Sequence, residues 1–173
     1  MAMTAPLPAP VRDPAWSLSR SAIGLWLTQG VISTVVHAAA LTAFFLLVPA
    51  DAGTPVTLVR WLGPVFVVVH GALVIGVRPR LRYRVHRWEV TDEAVFTLTG
   101  WLTRTWTLVP ISRIQTVDVT RGVLQGLFGL STVLVLTASS QGTVRMPHLE
   151  TDVARRVADD LARRAELVRD EAT

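Results

Sequence analysis

Two apolar runs near the start of the chain constrain everything that follows. Ile23 to Val48 reads IGLWLTQGVISTVVHAAALTAFFLLV and Trp61 to Val77 reads WLGPVFVVVHGALVIGV, and neither holds an Asp, Glu, Lys or Arg. A helix that crosses a bilayer needs about 20 apolar residues, within a range of ~17–25. The first run, at 26 residues, is long enough to cross with a tilt. The second, at 17, sits at the lower limit and extends by Leu58 and Val59 with Arg60 snorkelling. Together they predict a transmembrane hairpin over residues 23–77, with spans 23–48 and 61–77. The competing reading of the first run is a cleaved signal sequence, and Ala50-Asp51-Ala52 resembles a small-x-small cleavage site. A signal core is only ~7–15 residues long, and here a second span follows at once, so a retained hairpin is the expectation.

Orientation comes from arginine, because the chain has no lysine. Arg12 and Arg20 precede the first run, and Arg78, Arg80, Arg82, Arg84 and Arg87 follow the second. The loop between the runs, Pro49 to Arg60, has one Arg and one Asp. The positive-inside rule then places both termini in the cytoplasm of a multi-pass cell-membrane protein. The absence of cysteine agrees with a reducing compartment. A net charge of +4 and a pI of about 11.1 raise the question of nucleic acid. The excess sits at the membrane border, where each Arg gains ~1 kcal/mol from anionic lipid. Nucleic acid is therefore not an expected partner, whereas the anionic inner leaflet is, through Arg78, Arg80, Arg82, Arg84 and Arg87.

Inside the hairpin, His37 lies 11 positions before Val48 and His70 lies 9 after Trp61. At ~1.5 Å per residue both imidazoles fall near the bilayer midplane. An intramembrane polar group points at a partner. One reading is a proton or metal relay; the favoured one is a hydrogen bond between the helices, or to a hydroxyl such as Thr34 or Thr42. Gly30, Thr34 and Ala38 form the small-residue stripe that helix packing in membranes prefers. Pro64 is expected in the first turn of the second helix, where proline is tolerated. Residues 1–22, with prolines at 6, 8, 10 and 14, read as a flexible arm whose Trp16–Arg20 portion lies at the interface.

From Arg80 the period changes to two. Arg80, Arg82, Arg84 and His86 alternate with Leu81, Tyr83 and Val85, as in a half-buried strand running to Val90, with a bulge near His86-Arg87. Further strands are expected at Val95–Thr99, Thr103–Pro110, Arg113–Thr120, Thr132–Thr137 and Thr143–Met146, with a hairpin turn at Ser139-Ser140-Gln141-Gly142. After Pro147 the period is 3.6: Val153, Val157, Leu161 and Val168, with Ala154, Ala158 and Ala165, make one apolar stripe. Thr151 or Asp152 serves as the cap, and Asp159–Arg163 and Asp160–Arg164 are i,i+4 pairs on the solvated face. About six strands and one helix predict a small barrel or sandwich closed by that helix, over residues 78–168, followed by a tail at 169–173.

The stretch PISRIQTVDVTRGVLQGLFGLSTVLVLTAS, Pro110 to Ser139, follows an "iP...RIQ.V" strand and an "lq..fGl..v.v.ta" segment on Pro110, Arg113, Ile114, Gln115, Val117, Leu124, Phe128, Gly129, Leu130, Val133, Val135 and Thr137. With the two preceding spans, this order resembles the YdbS-like bacterial membrane proteins with a pleckstrin-homology-like domain, over about residues 20–168. The resemblance implies a split barrel capped by a helix at the inner membrane face. It implies no defined activity, and the roles it suggests are in envelope stress or resistance to antimicrobial peptides. Phosphoinositide-binding members of the superfamily use a basic first loop; here that loop is the acidic Thr91-Asp92-Glu93, which speaks against inositol-phosphate recognition.

No nucleophilic cysteine, GxSxG, HExxH, P-loop or GxGxxG motif occurs. The one His-carboxylate cluster, His148 to Asp152, lacks a third strong ligand within the motif and sits where a helix begins, so capping is the expectation and metal is not. No cofactor is implied. Arg113 and Gln115 either contact a partner chain or lipid head group, or hold down the loop at Gly122–Gly129. The apolar Leu124, Leu127 and Phe128 either plug an open end of the barrel or form a docking surface. The expected function is a non-enzymatic membrane-anchored module acting through self-assembly or a partner membrane protein. An anionic-lipid sensor, and a small transporter or enzyme using His37 and His70, are the alternatives.

Overall fold

The computed structural model describes residues 12–100, 102–137 and 142–171. Helix α1, Ser21–Leu47, and helix α2, Thr54–Gly71, pack antiparallel as the hairpin. Beyond α2 the chain passes without a break through a π-helical turn, Ala72–Val77, into α3, Arg78–Val85. The result is one 32-residue helix, Thr54–Val85, long and apolar enough to cross a membrane, as is α1. At ~1.5 Å per residue α1 is about 40 Å long and the second helix about 48 Å, against a ~30 Å hydrocarbon core, so helix ends project from the bilayer.

Three expectations are corrected here. Helix two starts seven residues earlier than the apolar run, so Pro64 lies in its interior and not in its first turn. Arg60 does not snorkel to water: its Nη2 donates to the carbonyls of Phe45 (3.4 Å) and Val48 (2.8 Å), satisfying the C-terminal end of α1. Arg80 to Val85, read as a strand from its alternation, is helical. A helix already nucleated by the span extends at little cost. The π turn directly ahead of Pro79 widens the ladder where the proline has no N–H to give. In the helix the arginines no longer share a face: Arg78 and Arg82 lie on one side, and Arg80 and Arg84 on the other.

Among the described residues seven strands form the barrel, one more than expected. Strands β1 (Trp16–Ser17), β2 (Arg87–Val90), β3 (Ala94–Thr99) and β4 (Thr105–Pro110) make one antiparallel sheet in that order. A turn of 3-10 helix, Ile111–Arg113, leads into β5 (Ile114–Thr120), which pairs with β6 (Leu130–Thr137), which pairs with β7 (Thr143–Glu150). The extra strand comes from the segment expected to be a flexible arm. Of that segment, residues 1–11 lie outside the described residues, and the rest is strapped to the sheet. Arg12 forks onto Glu89 at 2.6 and 2.8 Å, Ala15 N–H donates to the same carboxylate, and the Trp106 indole donates to Asp13. Ser139-Ser140-Gln141 of the expected hairpin turn also lies outside the described residues; Gly142 takes φ +72°.

Inward residues of both sheets, among them Val95, Val109, Val133, Val135 and Met146, meet Ala154, Ala158, Leu161 and Ala165 of the closing helix α5, Thr151–Glu171. Small residues at the contact let the helix lie close to the sheet, and each large buried side chain contributes roughly 1.5–3 kcal/mol. Val168, placed on the stripe by its period, is exposed. Asp160 pairs with both Arg164 (2.8 Å) and Arg163 (3.9 Å), replacing the expected Asp159–Arg163 pair. Arg164 also reaches Asp92 of the acidic β2–β3 turn at 2.5 Å. Thr151 does not cap α5 through its side chain; its hydroxyl donates to the Gly129 carbonyl at 3.0 Å.

A second apolar cluster joins hairpin to barrel. Leu18, Ala22, Leu25 and Trp26 are buried with Leu130, and Tyr83, Trp88, Leu124 and Phe128 pack around them. The first turns of α1 therefore belong to the barrel's core as much as to the membrane hairpin.

Candidate functional site

That junction is where the unusual chemistry collects. Residues Ser131 and Val133 of β6 pair with Leu149 and Met146 of β7, so Pro147 and His148 stand opposite the single residue Thr132. This is a β-bulge, and Pro147 suits it because it has no N–H to give to the ladder. His148 takes φ +57°, in the left-handed region, which re-aims its ring toward α1. The Trp26 indole donates to His148 Nε2 at 3.3 Å, and the two rings meet edge-on at 5.3 Å. Because indole only donates, Nε2 must be the unprotonated nitrogen. The neutral ring then carries its proton on Nδ1, so the Gln125 amide nitrogen 3.2 Å away, itself a donor, makes no hydrogen bond there and donates instead to the Thr132 hydroxyl at 2.8 Å.

Arg82 completes the cluster. Its guanidinium lies 4.9 Å from the centre of a Trp26 ring, and its carbonyl is 2.8 Å from His86 Nδ1. Burial, then the nearby charges of Arg82 and His86, pushes His148 down to about 4. His86 is also lowered, chiefly by burial. Both rings are thus held neutral at physiological pH.

The arginines expected to act together are split. Arg78, Arg80 and Arg84 are exposed, while Arg82 and Arg87 are half-buried. Arg82 lines two cavities. A small one, about 80 Å³, lies between the spans with Ser33, His70 and Arg78 on its wall. A larger groove, about 710 Å³, opens between the inner ends of β3–β4 and β7.

Of the loop-fixing candidates, Arg113 stands exposed on the 3-10 turn, and Gln115 is the extra, exposed residue of a bulge in β5. Neither side chain bonds the loop among the described residues. The loop, which contains helix α4 (Val123–Leu127), is held by its own residues: Arg121 donates to the Gly126 carbonyl at 2.8 Å, and Gln125 accepts from Gly122 N–H at 3.0 Å. Sequence reasoning passed over Arg121 and Gln125 because nothing in their spacing distinguishes a helix-capping residue from a surface one. Leu124 and Phe128 pack against α1, so close that a Cβ on Gly24 would come within 2.8 Å of the Phe128 ring. Leu127 points outward and is 78% exposed, as is Val123 at 88%. The packed and the exposed apolar side chains therefore lie on different faces of the same short helix.

His37 and His70 do meet, with ring centres 4.6 Å apart. The hydrogen bond across the helices runs between His70 Nε2 and the Ser33 hydroxyl at 3.1 Å. His37 Nδ1 lies 2.7 Å from the Ser33 carbonyl of its own helix. Thr34 and Thr42 donate to carbonyls in their own helix and partner neither ring. His148 and Glu150, neighbours in the suspected metal cluster, diverge: Glu150 accepts from Ser19 at 3.4 Å while His148 faces Trp26.

A membrane hairpin whose helix ends are built into a two-sheet barrel closed by a C-terminal helix defines a membrane-anchored protein with a PH-like domain. The family model for the bacterial PH domain matches residues 25–165, and the chain belongs to that family. The UPF0699 transmembrane protein YdbS of Bacillus subtilis (strain 168) is 27% identical over 165 residues, covering 92% of this chain and 98% of that protein. The chain is thus a YdbS-like membrane protein. No solved structure matches it.

Proposed function

We propose that this chain is a non-enzymatic, membrane-tethered interaction module, with both termini in the cytoplasm, whose PH-like barrel assembles with a neighbouring membrane protein, a second copy included, at the inner membrane face. The observation that carries this reading is α4. Its Leu124, with Phe128 at its C-terminal cap, packs against α1, while Val123 and Leu127 stay exposed. An exposed apolar pair on a helix that packs against a membrane span suits contact with another membrane-bound surface. The chain has no cysteine, so a single Leu127→Cys substitution provides a unique handle. A maleimide–benzophenone reagent coupled to this variant in membranes and irradiated, its photoactivated ketone inserting into a C–H bond of whatever lies against it, is expected to trap a crosslinked species that a Thr105→Cys control does not. Efficient labelling of Leu127→Cys by a monomaleimide with no crosslinked species sinks the reading.

A second reading, recognition of anionic lipid, is favoured by Arg80 and Arg84, exposed on one face of α3 just past the span. In neutral detergent, mass spectrometry of the intact protein is expected to find co-purified anionic lipid. An enrichment unchanged in the Arg80→Gln/Arg84→Gln variant removes that face from the reading.

A further inference from the structure

Arg82 is a half-buried guanidinium with no carboxylate partner and no side-chain hydrogen bond among the described residues. Its guanidinium lies over the face of Trp26, a contact that uses none of its N–H donors in the guanidinium plane. A cation taken partly out of water without a counter-charge is costly. The groove that Arg82 borders offers more of the same chemistry.

Arg145 of β7 forms the opposite wall, exposed and without an ion pair among the described residues. Between the two arginines the walls carry threonines at 97, 99, 105 and 107, where the inward positions of β3 and β4 change from valine to hydroxyl. Val95 and Val109 are buried in the core one step deeper, so the threonines mark the mouth of the barrel. Thr97 is only 4% exposed, and its hydroxyl opens on the groove with no hydrogen-bond partner among the described residues. No Asp or Glu lines the groove. Two guanidinium groups, a row of hydroxyls and no carboxylate make a site for an anion with several acceptor oxygens, and guanidinium matches phosphate with paired N–H donors.

We propose that this groove binds a phosphate ester or phosphate ion through Arg82 and Arg145, with the Thr97 hydroxyl as a further donor. Arg82 lies five residues past Val77 on the same continuous helix, about 7.5 Å along its axis, which sets that end of the groove at head-group depth. A phospholipid head group of the adjacent leaflet is therefore one source of the anion, and a soluble phosphate compound the other. The site lies away from the acidic Thr91–Glu93 turn. It is also separate from the surface contact of Arg80 and Arg84, so either can fail without the other.

The test uses the full chain in a neutral detergent, titrated calorimetrically with inorganic phosphate and, separately, with short-chain phosphatidylglycerol, with chloride as control. Saturable binding is expected for at least one probe, weakened tenfold or more in Arg145→Gln and unchanged in Arg156→Gln, which alters an exposed arginine of α5 away from the groove. Arg145 makes no contact that folding requires, so this variant stays informative if Arg82→Gln loosens the Trp26 junction. Tighter binding of the lipid than of phosphate assigns the site to the leaflet, and equal or weaker binding assigns it to a soluble phosphate. Saturation by neither probe, or identical binding in Arg145→Gln, overturns the proposal.

Discussion

The indole nitrogen of Trp26 and Nε2 of His148 stand 3.3 Å apart, which joins the first membrane helix to a bulged strand 122 positions later in the chain. The bond requires His148 to be neutral, because a protonated Nε2 would present a second donor to the indole. Arg82 lies over the face of the same indole, so protonation also places a like charge nearby.

Stability should therefore depend on pH in a defined direction. His148 is pushed down to about 4 in the folded chain, against an ordinary value of 6.5. Between those values the unfolded state binds more protons, so the contribution is complete above pH 6.5 and is lost as pH falls toward 4. His86, lowered by burial, acts in the same sense. Glu89, lowered by its hydrogen bond to Arg12, acts in the same direction but below its ordinary 4.5. Thermal unfolding in detergent should show Tm falling from pH 7.5 to pH 5, and His148→Gln should flatten that slope. An unchanged slope in the variant would mean that the titration lies elsewhere.

The hairpin depends on glycine where its helices approach closely. A Cβ on Gly30 would come within 2.8 Å of the Val74 carbonyl oxygen, which is backbone and cannot swing aside. Gly30→Leu should destabilise the hairpin by about 1–3 kcal/mol or more, by the usual cost of overpacking. At Gly76 an added methyl would meet nothing within 4 Å, so Gly76→Ala should cause no loss and up to ~1 kcal/mol of gain. Unfolding of the two variants in denaturant checks the contrast.

The barrel cannot be cut cleanly from the hairpin. A fragment 79–173 would discard β1, the Arg12–Glu89 fork, and Leu18, Ala22, Leu25 and Trp26, which leaves Leu130 and Phe128 open to water. It is expected to aggregate or unfold at a temperature well below that of the full chain. A fragment with the same cooperative unfolding as the full chain would refute the shared core.

The sequence made the hairpin, the strand order after Thr91 and the closing helix legible, because each rests on a period that burial enforces. The α5 stripe is read directly from Ala154, Ala158, Leu161 and Ala165. Arg80 to Val85 misled because alternation of arginine and apolar residues serves a strand and an interfacial helix equally, and the decision was made by the span that precedes it. The short strand at Trp16–Ser17 was hidden among prolines, and its pairing with Trp88 and Arg87 is a long-range contact that no local pattern announces. The His148 site was invisible for the same reason. Its ring is aimed by a bulge, and its partners come from α1, α3 and α4, so only the assembled fold brings Trp26, Arg82 and Gln125 around it. The RIQ stretch shows the converse: Ile114 is core, while Arg113 and Gln115, the residues that drew attention, turn outward.

The intramembrane histidines give the last prediction. His37 and His70 lie with ring centres 4.6 Å apart, and His70 bonds the Ser33 hydroxyl across the helices. Neither apolar run carries a carboxylate, so a proton relay through this pair would lack an acidic group to pass to. Interhelical hydrogen bonds in membranes are worth about 0.6 kcal/mol on average and rarely more than ~1.7. Replacing both histidines by leucine should therefore leave insertion, folding and any assembly trapped through Leu127→Cys intact, with a stability loss of at most ~2 kcal/mol. Membrane fractionation, unfolding and the crosslinking assay, run on the double variant, check this together. A folded double variant that no longer assembles would move the histidines from packing to function.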